Sequence, residues 1–338
     1  MWNDDVRRIA ERVVRAVLPV EKAPEEGFLR ERWFTRDEDK LTVGIVSMHS
    51  KVPDIGANKQ TMLRSVAALK RKGCQLVLFP EFSLTGYFWD SEDCWDYMGR
   101  GVIEENEDLL SGLEGELDDT LKMVVFNNIR KGDGRKFLNS TFVVNGKFDY
   151  LDPANVYDKI FLPGIEKKFT VSGRDDRLVV ETPWGRLGFT TCYDFCFGSL
   201  MHEYAFVDEV DALVQLASWR SVANREYPMI GAGTSTYYGD LWDWYMPATA
   251  SRNQVTIMAC NAVGAHEVSG AVFHGGGGVW APSGMPLVQA SNVNEEMVVV
   301  HGLDIAGTKG EEEEDFDYGF DFSQIYREIK GKRTFTRI

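Results

Sequence analysis

Three side chains capable of chemistry stand where short apolar runs stop. Glu81 follows Leu-Val-Leu-Phe-Pro (76–80), so four apolar residues and a proline deliver a carboxylate directly beyond a core strand. Partial burial would make it a usable base near neutrality; the residue alone favours a capping or surface glutamate, and its strand-end position makes the two readings even. Cys192 ends the run Leu-Gly-Phe-Thr-Thr (187–191) and precedes Tyr-Asp-Phe-Cys-Phe-Gly. A strand that stops there and turns tightly would expose sulfur and leave the Tyr193 backbone N–H free to meet an oxyanion. The local sequence favours the blander alternative, an inert cysteine buried beside apolar neighbours, and Cys74, Cys94, Cys196 and Cys260 keep that reading. Lys159 lies among Tyr157, Ile160, Phe161 and Leu162, where its ammonium either finds an anionic partner or snorkels to water. Glu166 precedes Lys167-Lys168-Phe169 and, taken alone, reads as an exposed charge.

Strand ends gather such groups in α/β sheets, because the strand is rigid while the loop after it is free to vary. The elements needed to position them are legible. Leu41–Met48 is β-rich, Asn58–Lys72 carries a helical apolar stripe stopped by Gly73, and Gln75–Phe79 reads as a short buried strand. A helix over 102–117 and strands near 122–127 and 140–145 complete one α/β unit. The rhythm then repeats, with strands near 178–182, 186–191, 212–215, 255–261, 286–290 and 297–303, and helices after Gly198 and over 241–253. No hinge-like linker separates the halves, so 41–305 reads as one domain. Residues 1–40 read as an extension: a helix carrying Trp2, Val6, Ile9, Val13 and Val17 on one stripe, then a polar connector from Pro24 to Asp39. Residues 306–338 read as an acidic, aromatic tail, with the run Glu311 to Asp315 as a solvated loop.

Composition excludes several classes of function. The 338 residues are 44% hydrophobic and 26% charged, enough for a sizeable core. A formal net charge of -15 repels phosphate backbones and anionic lipid, so neither nucleic acid nor membrane is an expected partner. Five cysteines form no secreted disulfide framework, and the five histidines show no zinc spacing. No metal or cofactor is expected, and without a signal-type apolar segment a reducing cytoplasm is the default compartment.

In combination these segments resemble the nitrilase superfamily of carbon–nitrogen hydrolases. The resemblance rests on Phe-Pro-Glu-Phe-Ser-Leu-Thr-Gly-Tyr (79–87), Leu-Asn-Ser-Thr (138–141), Tyr-Asp-Lys-Ile-Phe-Leu-Pro (157–163) and Glu-Lys-Lys-Phe (166–169). Thr-Cys-Tyr-Asp (191–194), Ser-Arg-Asn-Gln (251–254) and Ala-Pro-Ser-Gly (281–284) extend it across about Leu41 to Asp304. It implies a four-layer α-β-β-α sandwich and association of copies into a homodimer or larger homo-oligomer. It implies Glu81 as general base, Lys159 as catalytic lysine, Cys192 as nucleophile and Glu166 as the second glutamate of many members. With a base and a cation in place, the chemistry needs neither histidine nor cofactor: a small-molecule amide or carbamoyl substrate is split through a thioester.

Cys-Tyr-Asp favours the amidase-like branches over true nitrilases, which typically carry Cys-Trp-Glu. Phe195 and Cys196 stand where N-carbamoyl-D-amino-acid hydrolases place carboxylate-clamping arginines, which lowers the expectation of an α-amino-acid-derived substrate. Tyr87, Trp89 and Trp219 are the expected pocket residues, with Tyr237, Trp242 and Trp244 as further candidates, although core packing suits most of these rings better. The rival readings are a nitrilase acting on a nitrile and an inactive scaffold of the same fold.

Overall fold

The computed structural model describes residues 28–89, 94–99, 102–132, 134–146, 152, 155–173 and 176–324. The first half of the chain supplies strands β1 (Phe28–Trp33), β2 (Leu41–Ser47), β3 (Leu76–Leu78), β4 (Met123–Lys131), β5 (Phe137–Asn145), β6 (Val156–Asp158) and β7 (Thr170–Val171). Helices α1 (Ile55–Arg71), α2 (Cys94–Gly99) and α3 (Val102–Glu116) lie between them in sequence. The second half supplies β8 (Val179–Thr182), β9 (Gly185–Thr191), β10 (Ala212–Ala217), β11 (Arg225–Tyr227), β12 (Ala232–Thr234), β13 (Thr256–Asn261), β14 (Val263–Ala265) and β15 (Val272–His274). It continues with β16 (Gly278–Trp280), β17 (Pro286–Gln289) and β18 (Glu296–Leu303), and its helices are α4 (Gly198–Phe206), α5 (Tyr237–Asn253), α6 (Ile305–Asp315) and α7 (Tyr318–Gln324).

One sheet runs β1-β18-β2-β3-β4-β5-β6, with β7 also on β5, and the other runs β17-β16-β13-β10-β9-β8. In each sheet three central strands are parallel: β2, β3 and β4 in the first, β9, β10 and β13 in the second. Their carboxyl ends therefore emerge along one edge of each sheet.

Period-two alternation builds the layers. Ile45, Leu76, Leu78 and Val125 from the first sheet join Phe189, Val214, Leu216 and Met258 from the second in one apolar cluster between the sheets. Their sequence neighbours Val77, Val124 and Phe126 face the other way, onto Met62, Val66 and Leu69 of α1 and Leu109 and Leu113 of α3. On the second sheet Leu213 and Ile257 do the same against Met201 and Tyr204 of α4 and Trp242 and Met246 of α5. The result is the four-layer α-β-β-α sandwich. Two glycines let the helices approach: a Cβ on Gly44 of β2 would lie 2.9 Å from Leu69 Cδ1, and one on Gly188 of β9 would lie 2.7 Å from Tyr204 Cδ1.

The structure corrects the sequence reading at both flanks. The connector expected over Pro24 to Asp39 contains β1, which pairs parallel with β18 and extends the first sheet. The acidic run Glu311 to Asp315 is not a loop but the end of α6. Asp304 caps that helix by accepting from the Gly307 N–H, Ile305 is buried, and Lys309 stands 3.8 Å from Glu313 one turn on. Phe322 of α7 stacks on Phe206 of α4, so this part of the tail lies on its own domain. The N-terminal stripe from Trp2 to Val17 lies outside the described residues. Among the described residues no helix is long and apolar enough to cross a membrane.

Candidate active site

Glu81 leaves β3 through Phe79 and Pro80 and is fully buried. Its carboxylate reaches across to the second sheet. One oxygen, Oε1, accepts from Lys159 Nζ at 2.8 Å and from Asn139 Nδ2 at 2.8 Å, while Oε2 accepts from the Ser218 backbone N–H at 2.9 Å. Ser218 follows β10, and its hydroxyl donates to the Glu81 carbonyl at 2.7 Å, so side chain and backbone of the glutamate are clamped together.

Lys159 follows β6 and is fully buried, its ammonium shared between Glu81 and Glu166 at 2.8 Å each. Glu166, at the start of a short 3₁₀ turn, is buried as well and accepts from the Tyr87 hydroxyl at 2.9 Å and from Asn139 Nδ2 at 3.3 Å. The exposed charge that the residue alone suggested is thus overturned. Tyr87 and Asn139, far away in the chain, supply donors that make its burial tolerable. Burial alone would discharge Lys159, but the carboxylates of Glu166 and Glu81 outweigh it and hold the ammonium well above its usual range. Burial pushes the Glu166 carboxyl up to about 7, Lys159 pulling the other way.

Cys192 begins the turn after β9 in the left-handed region, at φ 49°. The turn is locked from outside: Thr191 and Asp194 form a capping box. Asp194 also accepts from the Phe161 N–H at 2.7 Å and the Tyr157 hydroxyl at 2.6 Å, which ties the turn to the segment carrying Lys159. Gln215 Nε2 donates to the Cys192 carbonyl at 3.0 Å. The thiol is buried near enough to Glu81 and Lys159 to feel both charges. Burial pushes it well above its ordinary pKa, the Glu81 charge adds to the push, and Lys159 opposes it. The resting sulfur is therefore a neutral thiol beside a carboxylate, an arrangement suited to proton transfer during attack rather than before it. Tyr193 occupies the first turn of the 3₁₀ helix, where backbone N–H groups lack an intrahelical acceptor.

A family model described as carbon-nitrogen hydrolase matches residues 42–309, most of the chain. The chain belongs to that family, within the nitrilase superfamily. A probable nitrilase of Schizosaccharomyces pombe is 26% identical over 276 residues, covering 80% of this chain and 91% of the relative. Among solved structures, the Nesterenkonia AN1 amidase from the nitrilase superfamily superposes with a TM-score of 0.64 at 19% identity, covering 82% of this chain and 96% of that one. The glutamine-dependent NAD+ synthetase of Acinetobacter baumannii superposes with a TM-score of 0.62 at 20% identity over 77% of this chain, which spans only 45% of the synthetase.

Around this candidate site the expected pocket residues divide. Tyr87 is buried and reaches the site through Glu166. Trp219 directly follows Ser218, donates its indole N–H to the Tyr238 carbonyl at 2.7 Å and meets Trp242 edge to face. Trp89 is packed in the core instead, stacked on Phe169 with centroids 5.1 Å apart and edge-on to Phe82, so it supports the loop after Glu81 from beneath. Trp242 is core and Trp244 is exposed to solvent. Among the described residues no cluster of histidine, cysteine or acidic side chains has the makings of a metal site. Sequence reasoning gave no role to Asn139, Asn127, Gln215 or Ser218. For Gln215 the available signal was a polar residue in the middle of an otherwise apolar strand; Ser218 lies beyond its strand and Asn139 stands in a polar run.

Proposed function

We propose that this chain hydrolyses a non-peptide carbon–nitrogen bond, amide or N-carbamoyl, of a small molecule through a thioester on Cys192. The observation that carries the reading is the burial of Cys192, Glu81 and Lys159 together, with the Glu81 carboxylate held at 2.8 Å by the Lys159 ammonium. Glu81 takes the thiol proton as sulfur bonds to the carbonyl carbon, and the displaced π pair goes to oxygen, received by Lys159 and the Tyr193 N–H. Collapse of that adduct breaks the carbon–nitrogen bond, with Glu81 returning the proton to the departing ammonia or amine. Water, deprotonated by the same carboxylate, then adds to the thioester, and the carbon–sulfur bond breaks as sulfur regains a proton. Glu166 anchors Lys159 and, with Tyr87, faces the substrate; Trp219 lines the acyl side.

A solved structure of a mutant of the Nesterenkonia amidase carries the acetamide moiety of fluoroacetamide on its active-site cysteine, which supports an amide-directed reading here. The name of the fission-yeast relative favours a second reading, a nitrilase. Release of ammonia or amine measured across amides, ureido compounds and nitriles separates the two, with Cys192→Ala as the inactive control. Faster turnover of amides or ureido compounds is expected. Turnover of nitriles alone supports the second reading, and no Cys192-dependent release from any member of the series defeats both. Exposed Tyr238 and Trp244 on α5 are consistent with association of copies through helices.

A further inference from the structure

We propose that Asn139 is the positioning residue that keeps two like-charged carboxylates, Glu81 and Glu166, ionised on one ammonium, and that Asn127 dictates which way its amide faces. Asn139 lies on β5 and is only 1% exposed. Its Nδ2 donates to Glu81 Oε1 at 2.8 Å and to Glu166 Oε2 at 3.3 Å. Its Oδ1 accepts from Asn127 Nδ2 at 2.8 Å, and Asn127 Oδ1 accepts from the Phe82 backbone N–H at 3.1 Å. A backbone N–H can only donate, so it fixes the orientation of Asn127, which in turn leaves Asn139 only its NH₂ to offer the carboxylates. The second hydrogen of Asn127 reaches Thr141 Oγ1 at 3.0 Å, and Thr141 meets Thr191 Oγ1 at 2.9 Å, at the cap of the nucleophile turn. One polar chain thus touches the base, the second carboxylate and the turn that presents sulfur.

Charge balance explains why an amide stands there. With the thiol neutral and Glu166 ionised, as it becomes above about pH 7, two carboxylates face one ammonium, and the cluster holds an excess negative charge away from water. Neutral donors to both anions stabilise that state without adding a cation that would compete with Lys159 or an acid that would repel. All four carboxylate oxygens then have a donor: Lys159, Asn139, Ser218 or the Tyr87 hydroxyl. The titratable groups facing the cluster are Glu81, Glu166, Lys159, Cys192 and Tyr87, with Asp194 held one step away by Tyr157.

The catalytic consequence rests on the functional reading above, and the test separates the two. The pseudo-first-order rate of Cys192 alkylation by fluoroacetamide is followed by peptide mass mapping from pH 5 to 9. In this reaction a carbon–sulfur bond forms, fluoride leaves and the thiol proton passes to Glu81. Asn139→Leu removes both donors; Asn139→Ser, which donates to one carboxylate only, carries the test where the leucine variant fails to fold. The acidic limb is expected to move up by about one pH unit for leucine and less for serine, a roughly tenfold loss near neutrality that disappears at pH 9. A rate lowered equally at every pH, with the limb unmoved, overturns the proposal, because that is what displaced packing alone would do. Native protein that is not alkylated at Cys192 removes the functional reading instead. Tm of Asn139→Ser against native then decides the charge-holding role: a deficit that widens from pH 5 to 9 supports it, and a constant deficit overturns it.

Discussion

The turn after β3 and the turn after β9 both place a non-glycine residue in the left-handed region, Phe82 at φ 51° and Cys192 at φ 49°. After β3 the strained residue is the neighbour of the functional one. Phe82 is pinned by Asn127 and by edge-on contacts to Tyr87 and Trp89, with centroids 5.5 and 5.8 Å away, and Glu81 beside it is held through its side chain by donors from both sheets. After β9 the strained residue is the proposed nucleophile itself, and its backbone is what is held, by the Thr191–Asp194 box and by Gln215. The proposed base is fixed at its carboxylate oxygens, whereas the proposed nucleophile is fixed at its main chain. A group that only relays protons gains from rigid reacting atoms; an atom that must travel onto carbon and back does not.

Glu81→Gln tests the base side of this comparison and carries the largest expected effect. Glutamine keeps an oxygen for Lys159, but it cannot take the thiol proton, and its NH₂ competes with the Ser218 N–H. Turnover should fall by about 10³-fold, within the range for a lost general base, while the fold persists. A loss under tenfold in a steady-state ammonia-release assay would mean that Cys192 is activated by something other than Glu81.

Glu166→Gln sharpens the same side with a smaller loss, about 10²-fold, because glutamine still accepts from Lys159 and Tyr87 but leaves one carboxylate opposite the ammonium. Its signature lies in pH dependence. The folded carboxyl is raised to about 7 from its ordinary 4.5. Its contribution to stability is therefore fully present below about 4.5 and is lost as pH rises through 7. Glutamine does not titrate, so Tm of the variant minus that of the native protein should increase from pH 5 to pH 8. A flat difference would place the buried excess charge on Glu81 alone.

How much of this was legible in the sequence follows the same division. Glu81 and Cys192 could be read as strand-end residues because each follows an apolar run that fixes where its strand stops. Core strands such as β10 and β13 were legible because buried parallel strands are nearly unbroken apolar runs. Glu166 was not, since its burial depends on Tyr87, Asn139 and Lys159 arriving from other elements, and no local pattern records that. Asn139 stood inside a recognisable segment, yet its role exists only when β4 and β5 align and two carboxylates converge. The edge strand β1 was read as a connector because Arg30, Glu31 and Arg32 break the alternation; its pairing comes from β18, more than two hundred residues later. The acidic run in α6 misled in the opposite way, since a charge cluster says nothing of the cap at Asp304 that begins the helix.

The nucleophile side of the comparison is sharpened by stability rather than by activity. If the protein holds Cys192 by its main chain, the left-handed backbone should survive loss of sulfur, and two inactive variants then differ only in how they tolerate it. In Cys192→Ala the Cβ stays against the neighbouring carbonyl, so about 1 kcal/mol of strain remains. In Cys192→Gly that strain vanishes, set against about 0.5–1 kcal/mol of extra backbone freedom in the unfolded chain. The usual ranking, in which glycine is clearly less stable than alanine, should therefore disappear or reverse here, with glycine equal to alanine or ahead by a few tenths of a kcal/mol. Urea unfolding of the two variants in one buffer measures it. Alanine ahead by about 1 kcal/mol would mean that the turn relaxes once sulfur is gone, and that the contact with Glu81, rather than the capping box and Gln215, holds the backbone in place.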